Sequence, residues 1–120
     1  MKVFIPYNTP SSKNSRVWTG RFFVTSKATT KWKNDTKEYW LKYAKEFRDK
    51  FNSLEKPVKI YFQFIRKSKH RFDYHNISQA PCDMMVEYGW IEDDNADMII
   101  PVFKPYKYDK NNSGVWIEIK

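Results

Sequence analysis

The sequence predicts a single small domain of the α+β class, with α/β-type alternation of strands and helices and a mixed sheet packed against two helices. Three observations support this prediction. Apolar residues recur every three or four positions from about 29 to 51, which is the period of an amphipathic helix. Apolar and other side chains alternate from Val58 to Ile65, which is the period of a strand. The length of 120 residues, with no internal repeat or low-complexity linker, indicates one domain over residues 1–120.

The first elements are short strands. The apolar run from Val3 to Tyr7 predicts a first strand, and Arg21 to Thr25 predicts a second. Between them, residues 11–16 are polar and basic, which is typical of an exposed loop. Lys13 and Arg16 in this loop are candidates for contacts with phosphate groups.

A long helix follows, with Ser26 or Thr29 as its N-cap and its end at about Phe51. Its apolar stripe is rich in aromatic residues and its other face is rich in lysine. We expect the stripe to pack on the sheet rather than to stack on bases, because its period fits burial. After a turn, the alternating strand from Val58 ends in a basic run, Arg66 to Arg71.

A second helix is predicted from about Asn76 to Tyr88, with Gly89 as its C-terminal stop. Pro81 lies inside this segment, so we expect the helix to start late or to kink there. Residues 98–103 and 115–119 predict two further strands. The predicted order is strand, strand, helix, strand, helix, strand, strand.

The charge balance points to an anionic partner. The chain has 22 Lys and Arg against 14 Asp and Glu, a net charge of +8. Nucleic acid is favoured over a membrane, because no basic amphipathic helix stands out as membrane-seeking and no apolar run approaches the length of about 20 residues that spans a membrane. Cys82 is the only cysteine, which excludes an intrachain disulfide and a cysteine-based zinc site. We expect it to be a buried, inert thiol in a reducing cytoplasm.

One window departs from this basic character. From Asp73 to Asp97 there are seven carboxylates and no Lys or Arg. Two groups within it flank the second helix: Asp73 to Asn76 before it, and Glu92 to Asp94 after it. Glu87 and Asp97 are expected to be surface charges.

If the flanks of the helix meet, Asp73 and Asp94 would supply the hard oxygen ligands that Mg²⁺ prefers. A metal there would favour hydrolysis of a phosphodiester by an activated water. The alternatives stay open. Asp73 or Asn76 could serve only as a helix cap, and Asp93 and Asp94 could only shape a turn.

A longer pattern contains these residues: Lys69 to Ile77, then Asp83, then Gly89 to Asp94. It resembles the signature of RusA-type Holliday junction resolvases, and the strand and polar loop from Pro6 to Arg16 are similar too. The resemblance covers nearly the whole chain. It implies a RusA-like fold and a homodimeric, Mg²⁺-dependent endonuclease. Such an enzyme nicks four-way DNA junctions in recombination and repair, in the cytoplasm of a bacterial or phage-infected cell.

The resemblance also implies roles for residues. Asp73 corresponds to the first catalytic aspartate of the family, Asp94 to the last, and Asp83 to the one on the helix. Asp93 is a further candidate ligand, and Asn76 lies within the first box.

Two positions depart from the family pattern. His75 stands where the family has its second aspartate, and Gln79 stands where it has a lysine. An imidazole suits Mn²⁺ better than Mg²⁺, and it can also act as a general base; alternatively it only forms a hydrogen bond at the helix start. Gln79 carries no charge, so phosphate stabilisation would fall to Lys67, Lys69 or Arg71.

Sequence-independent phosphate contacts are expected from basic side chains in three segments. They are Lys13, Arg16, Arg66, Lys67, Lys69, Arg71, Lys104 and Lys107.

Two other functions remain open. The first is a junction-binding protein of the same fold with weak or lost cleavage, because of His75 and Gln79. The second is a single-stranded nucleic-acid-binding module that stacks bases on exposed aromatics such as Trp18, Trp90 or Tyr106.

Overall fold

The computed structural model describes residues 1–11, 16–18, 23–25 and 27–120, and of residues 16–18 and 23–25 it describes the backbone only. Its elements follow the chain in this order: β1 (Lys2–Pro6), β2 (Arg16–Trp18), β3 (Phe23–Thr25), α1 (Lys27–Ser53), β4 (Val58–Arg66), α2 (Tyr74–Ile77), α3 (Gln79–Glu87), β5 (Ile99–Phe103), β6 (Lys107–Tyr108) and β7 (Gly114–Ile119).

The main sheet is mixed. Its strand order is β1-β7-β4-β5, and β6 pairs with the end of β4. β7 runs antiparallel to both β1 and β4, whereas β5 runs parallel to β4. Strands β2 and β3 form a separate antiparallel pair. The predicted class, a small α+β domain with a mixed sheet packed against helices, is confirmed.

The core lies between one face of the sheet and the helices. Alternate residues of β4, among them Ile60 and Phe62, are fully buried on that face. Trp40 and Phe47 of α1 are also fully buried, so the predicted aromatic stripe of the helix is core. Burial of such large side chains supplies the main driving force for the fold.

Trp90 fixes the end of α3 against α1. Gly89, at φ 74°, allows a Schellman ending in which its N–H donates to the Val86 carbonyl and the Trp90 N–H donates to the Met85 carbonyl. The Trp90 side chain is fully buried, and its Nε1–H donates to the backbone carbonyl of Trp40 at 2.7 Å. This hydrogen bond joins residues 50 positions apart in the sequence.

The second helix differs from the prediction. The segment predicted as one helix forms two, α2 and α3, separated at Ser78. Pro81 lies in the first turn of α3, where a backbone N–H would have no partner within the helix, and the first helical bond runs from the Cys82 N–H to the Ser78 carbonyl. Proline is tolerated in that first turn, so the chain breaks before Pro81 rather than kinking at it.

The strands also differ in detail. β2 and β6 were not predicted, because runs of three and two residues are too short to show an alternating pattern. Of the predicted strand from Arg21 to Thr25, Phe23 to Thr25 is β3 and the first two residues lie outside the described residues. Among the helices that the structure describes, none is both long and apolar enough to cross a membrane.

Trp90→Ala should destabilise the protein by about 3–5 kcal/mol, because it leaves a large cavity and removes the hydrogen bond to Trp40. Urea denaturation followed by circular dichroism measures the change. Leu41→Ala is the control, since Leu41 is 57% exposed on α1 and should change stability by no more than about 0.5 kcal/mol. Equal effects of the two substitutions would contradict the role given to Trp90.

Candidate active site

Asp73 lies at the start of α2, after the basic loop that follows β4. It is the N-cap residue of this helix, with extended backbone dihedrals, but its side chain makes no capping hydrogen bond. The Asp73 backbone carbonyl accepts the first bonds of the helix, from the N–H groups of Asn76 and Ile77. The carboxylate is exposed, and among the described residues the Asn76 amide is its one hydrogen-bond donor, at 3.3 Å.

Tyr74 holds this helix start on the sheet. Its ring stacks on Phe103 of β5, with centroids 5.1 Å apart. Its hydroxyl accepts from the Tyr106 N–H at 3.0 Å and donates to the Lys104 carbonyl at 3.4 Å. Asp73 is thus positioned by the neighbouring aromatic residue rather than by its own contacts.

An open cleft of about 230 Å³ adjoins the Asp73 carboxylate. Ser11, Arg71, Phe72, Asp73 and Asn76 line it. A carboxylate, an amide and an exposed guanidinium therefore face the same space. Such a combination can bind a phosphate and a cation together.

The second acidic group follows the Trp90 anchor. The Asp93 carboxylate accepts from the Asp94 N–H at 2.8 Å and from the Asn95 amide at 2.9 Å, so Asp93 shapes the turn. The Asp94 carboxyl group has no cationic partner among the described salt bridges. Its pKa is raised above the ordinary aspartate value, first by partial burial, then by a hydrogen bond to Asp93 and by the negative charges of Asp93 and Asp83.

Asp83 on α3 lies near Asp94 and is held by two other side chains. The Gln79 amide donates to its Oδ1 at 2.7 Å, and Lys33 Nζ on α1 lies 3.9 Å from its Oδ2.

Burial, together with the charges of Asp94 and Asp83, raises the pKa of the Cys82 thiol to about 12. Cys82 is therefore buried and protonated at neutral pH, as the sequence predicted for an inert thiol.

Asp83 is thus close enough to Asp94 for its charge to raise the pKa of Asp94, and Asp73 lies with Asn76 and Arg71 in the cleft. His75 is exposed on α2. Within the described parts of the chain, no group of three or more His, Cys, Asp or Glu residues could hold a metal ion. The donor chemistry still fits a hard cation that takes most of its ligands from water and phosphate, because the Asp73 carboxylate is exposed at the cleft and Asp94 has no cationic partner among the described salt bridges.

The predicted phosphate-binding residues fall into different environments. Lys67, Lys69, Arg71 and Lys107 are exposed. Lys104 is half-buried and pairs with Glu118 at 3.2 Å.

Arg66 differs from the other predicted phosphate-binding residues because it is buried. It is only 7% exposed, and its Nη1 donates to the Thr9 carbonyl at 2.7 Å, so its guanidinium stabilises the fold and the predicted phosphate contact is wrong. Lys13 lies outside the described residues, and only the backbone of Arg16 is described, in β2.

The aromatics proposed for base stacking also differ from one another. The prediction for Trp90 is wrong, since its side chain is fully buried. Tyr106 is 42% exposed, and the side chain of Trp18 lies outside the described structure.

Lys33 is the site residue that sequence reasoning missed. It lies on the lysine-rich face of α1, 50 positions before Asp83, and no spacing in the sequence relates the two. Only the packing of α1 against α3 brings them together. Ser11, which lines the Asp73 cleft, belongs to the predicted polar and basic loop of residues 11–16, for which the sequence suggested phosphate contacts.

One protein-family model matches the chain. It is described as Endodeoxyribonuclease RusA and spans residues 6–120, which include both acidic groups and the whole of the main sheet except β1, of which only Pro6 is matched. No curated protein matches the chain.

Asp94→Asn should not destabilise the metal-free protein near neutral pH. A raised pKa means that the folded state binds this proton more tightly than the unfolded chain does. Ionisation of Asp94 therefore costs stability as the pH rises through its folded-state pKa. We expect the melting temperature of Asp94→Asn to equal or exceed that of the wild type near pH 7, with a smaller difference near pH 3, where both are uncharged.

Thermal denaturation in EDTA at the two pH values measures this. Asp97→Asn is the matched control, because Asp97 is an exposed aspartate of the same loop. A melting temperature of Asp94→Asn clearly below that of the control at neutral pH would contradict the interpretation.

Proposed function

The chain belongs to the RusA family of endodeoxyribonucleases, as its sequence resemblance predicted, and from this membership we propose that it cuts four-way DNA junctions by metal-dependent hydrolysis in recombination and repair. The observation that supports this most directly is the extent of the match, residues 6–120. We propose the cytoplasm of a bacterial or phage-infected cell as the compartment, since the single buried cysteine needs no oxidising environment.

Nucleases of this family generally depend on a divalent metal. We propose Mg²⁺, with Mn²⁺ as the alternative, held by Asp73 and Asp94, with Asp93 and His75 as further candidate ligands. A divalent cation supplies positive charge to the phosphate and lowers the pKa of water. Two independent features support this site. The Asp73 carboxylate makes no capping hydrogen bond and adjoins a cleft, and the pKa of Asp94 is raised by burial and by the neighbouring aspartates.

The chain's own residues bind and orient the substrate. Arg71, beside Asp73 in the cleft, is placed to pair with a phosphate of the cut strand. The Asn76 amide limits the rotation of the Asp73 carboxylate. His75, exposed on α2, is the candidate to take the proton from the attacking water.

Asp83 has a different proposed role. Its two oxygens face Gln79 and Lys33, so we assign it to positioning α3 and to the charge around Asp94 rather than to direct metal binding. Gln79 on α3 carries no charge, and Lys33 on α1 provides positive charge near the site instead. Exposed Lys67, Lys69 and Lys107 would hold the arms of the DNA through phosphate contacts that weaken with salt.

We propose that the enzyme acts as a homodimer. A four-way junction has approximate two-fold symmetry, and its resolution needs one nick in each of two strands. Two active sites related by a two-fold axis meet both requirements.

A junction-binding protein with weak cleavage is the second candidate. It is favoured by one observation: Gln79, at the position of the family lysine, has its amide directed to Asp83 rather than free for a phosphate.

Asp94→Asn should abolish metal-dependent nicking of a synthetic four-way junction while leaving junction binding intact. We expect a loss of at least about 100-fold, because even residues that only support a metal ligand are worth 10–100-fold. Nicking is measured on a denaturing gel with Mg²⁺ or Mn²⁺, and binding by gel shift in EDTA. Asp97→Asn, with the same change of charge in the same loop, should nick like the wild type. Binding without nicks by the wild type would instead support the second candidate.

His75→Asp should change the metal preference. With an imidazole at the site, the wild type should cut faster in Mn²⁺ than in Mg²⁺, and the aspartate should reduce that ratio by about tenfold. His70→Asp makes the same substitution at the other histidine of the chain and should leave the ratio unchanged. An unchanged ratio in His75→Asp would show that position 75 does not contact the metal.

A further inference from the structure

The sheet has a second face, which points away from the helices. Strand register defines it, because residues paired across neighbouring strands lie on the same face. Lys2 pairs with Glu118, Glu118 with Tyr61, and Tyr61 with Val102. We call this surface the open sheet face. It consists of Lys2, Phe4, Lys59, Tyr61, Gln63, Ile100, Val102, Lys104, Trp116, Glu118 and Lys120.

Every residue of the open sheet face is exposed or half-buried, and none of the described helices covers it. Its charged residues are not typical of a sheet face that packs against another apolar layer. Four lysines and one glutamate give it a net charge of +3. Glu118 forms its salt bridge with Lys104 at 3.2 Å, and none of the described salt bridges involves the other three lysines of this face.

Aromatic rings lie among these lysines. Phe4 and Trp116 are in contact, with centroids 4.8 Å apart. Lys2 Nζ lies 4.9 Å from the centroid of the Trp116 ring, and Lys120 Nζ lies 4.5 Å from that of Tyr61. A flexible ammonium group therefore lies over the Trp116 ring and another over the Tyr61 ring, and moving either group away would uncover an aromatic face.

A depression of about 400 Å³ adjoins Tyr61, lined also by Leu54, Pro57 and Lys120 among others. It extends the aromatic surface at one end and is roomy enough for a flat aromatic group beside the Tyr61 ring. Lys59 and Lys120 outnumber Glu55 among its charged lining residues, and its apolar walls beside two lysines suit a base that is linked to a phosphate.

This arrangement favours an anionic partner that has exposed aromatic faces. A second copy of the face would place lysines against lysines, which costs free energy. In a duplex the base faces are stacked on one another, so a duplex would use the lysines but not the rings. A single strand can use both.

We propose that the open sheet face binds single-stranded DNA, with bases stacked on Tyr61 and Trp116 and phosphates bound by Lys2, Lys59 and Lys120. On binding, the ammonium groups move from the rings to the phosphates and bases take their place. The surface lies on the opposite side of the sheet from the helices that bear Asp83 and His75, and the inference does not depend on the proposed cleavage.

Fluorescence anisotropy with a labelled oligothymidylate of about 15 nucleotides, in EDTA, tests this. Trp116→Ala should weaken binding by about 5- to 150-fold, which corresponds to one lost stacking contact. Trp116→Phe keeps a ring and should retain most of the affinity. Tyr61→Ala gives the same test at a second ring if Trp116→Ala does not fold, as judged by circular dichroism.

The lysines have a matched control. Lys2→Gln with Lys120→Gln should lower the slope of log affinity against log salt by about 0.7 per lysine. Lys42→Gln with Lys45→Gln removes the same charge from exposed positions of α1 and should leave the slope unchanged. Equal losses in both pairs would reduce the binding to non-specific attraction and overturn the proposal.

Two further results would overturn it. One is wild-type affinity in Trp116→Ala. The other is a change of sedimentation coefficient in Trp116→Ala without loss of strand binding, which would make the face an interface between copies of the chain. Junction nicking is measured separately, and we expect Trp116→Ala to retain it, so failure of strand binding and failure of the proposed nuclease activity are distinguishable.

Discussion

The hydrogen bond from the Trp90 indole to the Trp40 carbonyl, inside a cluster of buried rings, is the interaction on which the acidic loop depends. Trp90 is the residue that follows the glycine ending of α3, so its insertion beside Trp40 and Phe47 determines where α3 stops and in which direction the chain leaves it. Asp94 lies only four positions after Trp90, so its backbone position follows from that of Trp90. The buried Trp90 therefore positions the Asp94 carboxylate without contacting it. A buried donor such as the indole N–H has few alternative partners in an apolar core, which makes the arrangement specific as well as stable.

Much of the fold could be predicted because the hydrophobic periodicity of single segments indicates their secondary structure. The alternation in β4 and the aromatic stripe of α1 each have one physical explanation, burial on one side, and the structure agrees. Trp90 could not be placed in the same way, since it stands alone after Gly89 with no period around it. The break at Ser78 also escaped prediction, because Pro81 permits either a kink or a late start. Contacts between distant segments, such as Lys33 with Asp83, depend on helix packing that no spacing records.

The candidate site shows a division of labour among its carboxylates. Asp93 is used by the turn, and Asp83 is held by Gln79 and Lys33. The Asp73 carboxylate makes no capping hydrogen bond to its helix. The Asp94 carboxyl group has negatively charged neighbours, Asp93 and Asp83, which raise its pKa. The acid-only window and the resemblance together identified Asp73 and Asp94 as the best candidates. The structure adds a physical observation: neither carboxylate forms any of the described salt bridges, and the pKa of Asp94 is raised, a condition typical of functional sites.

The position of β7 in the sheet has a consequence for the order in which the protein forms. β7 follows every other element in the chain, yet it lies between β1 and β4 and pairs with both. While the chain emerges from the ribosome, β1 therefore has no neighbour to join, and the aromatic face of α1 has only part of a sheet to cover it. The pairing of β1 with β7 joins residue 2 to residue 118, and contacts so distant in sequence tend to slow folding. The five-stranded sheet can therefore be complete only after β7 has been synthesised.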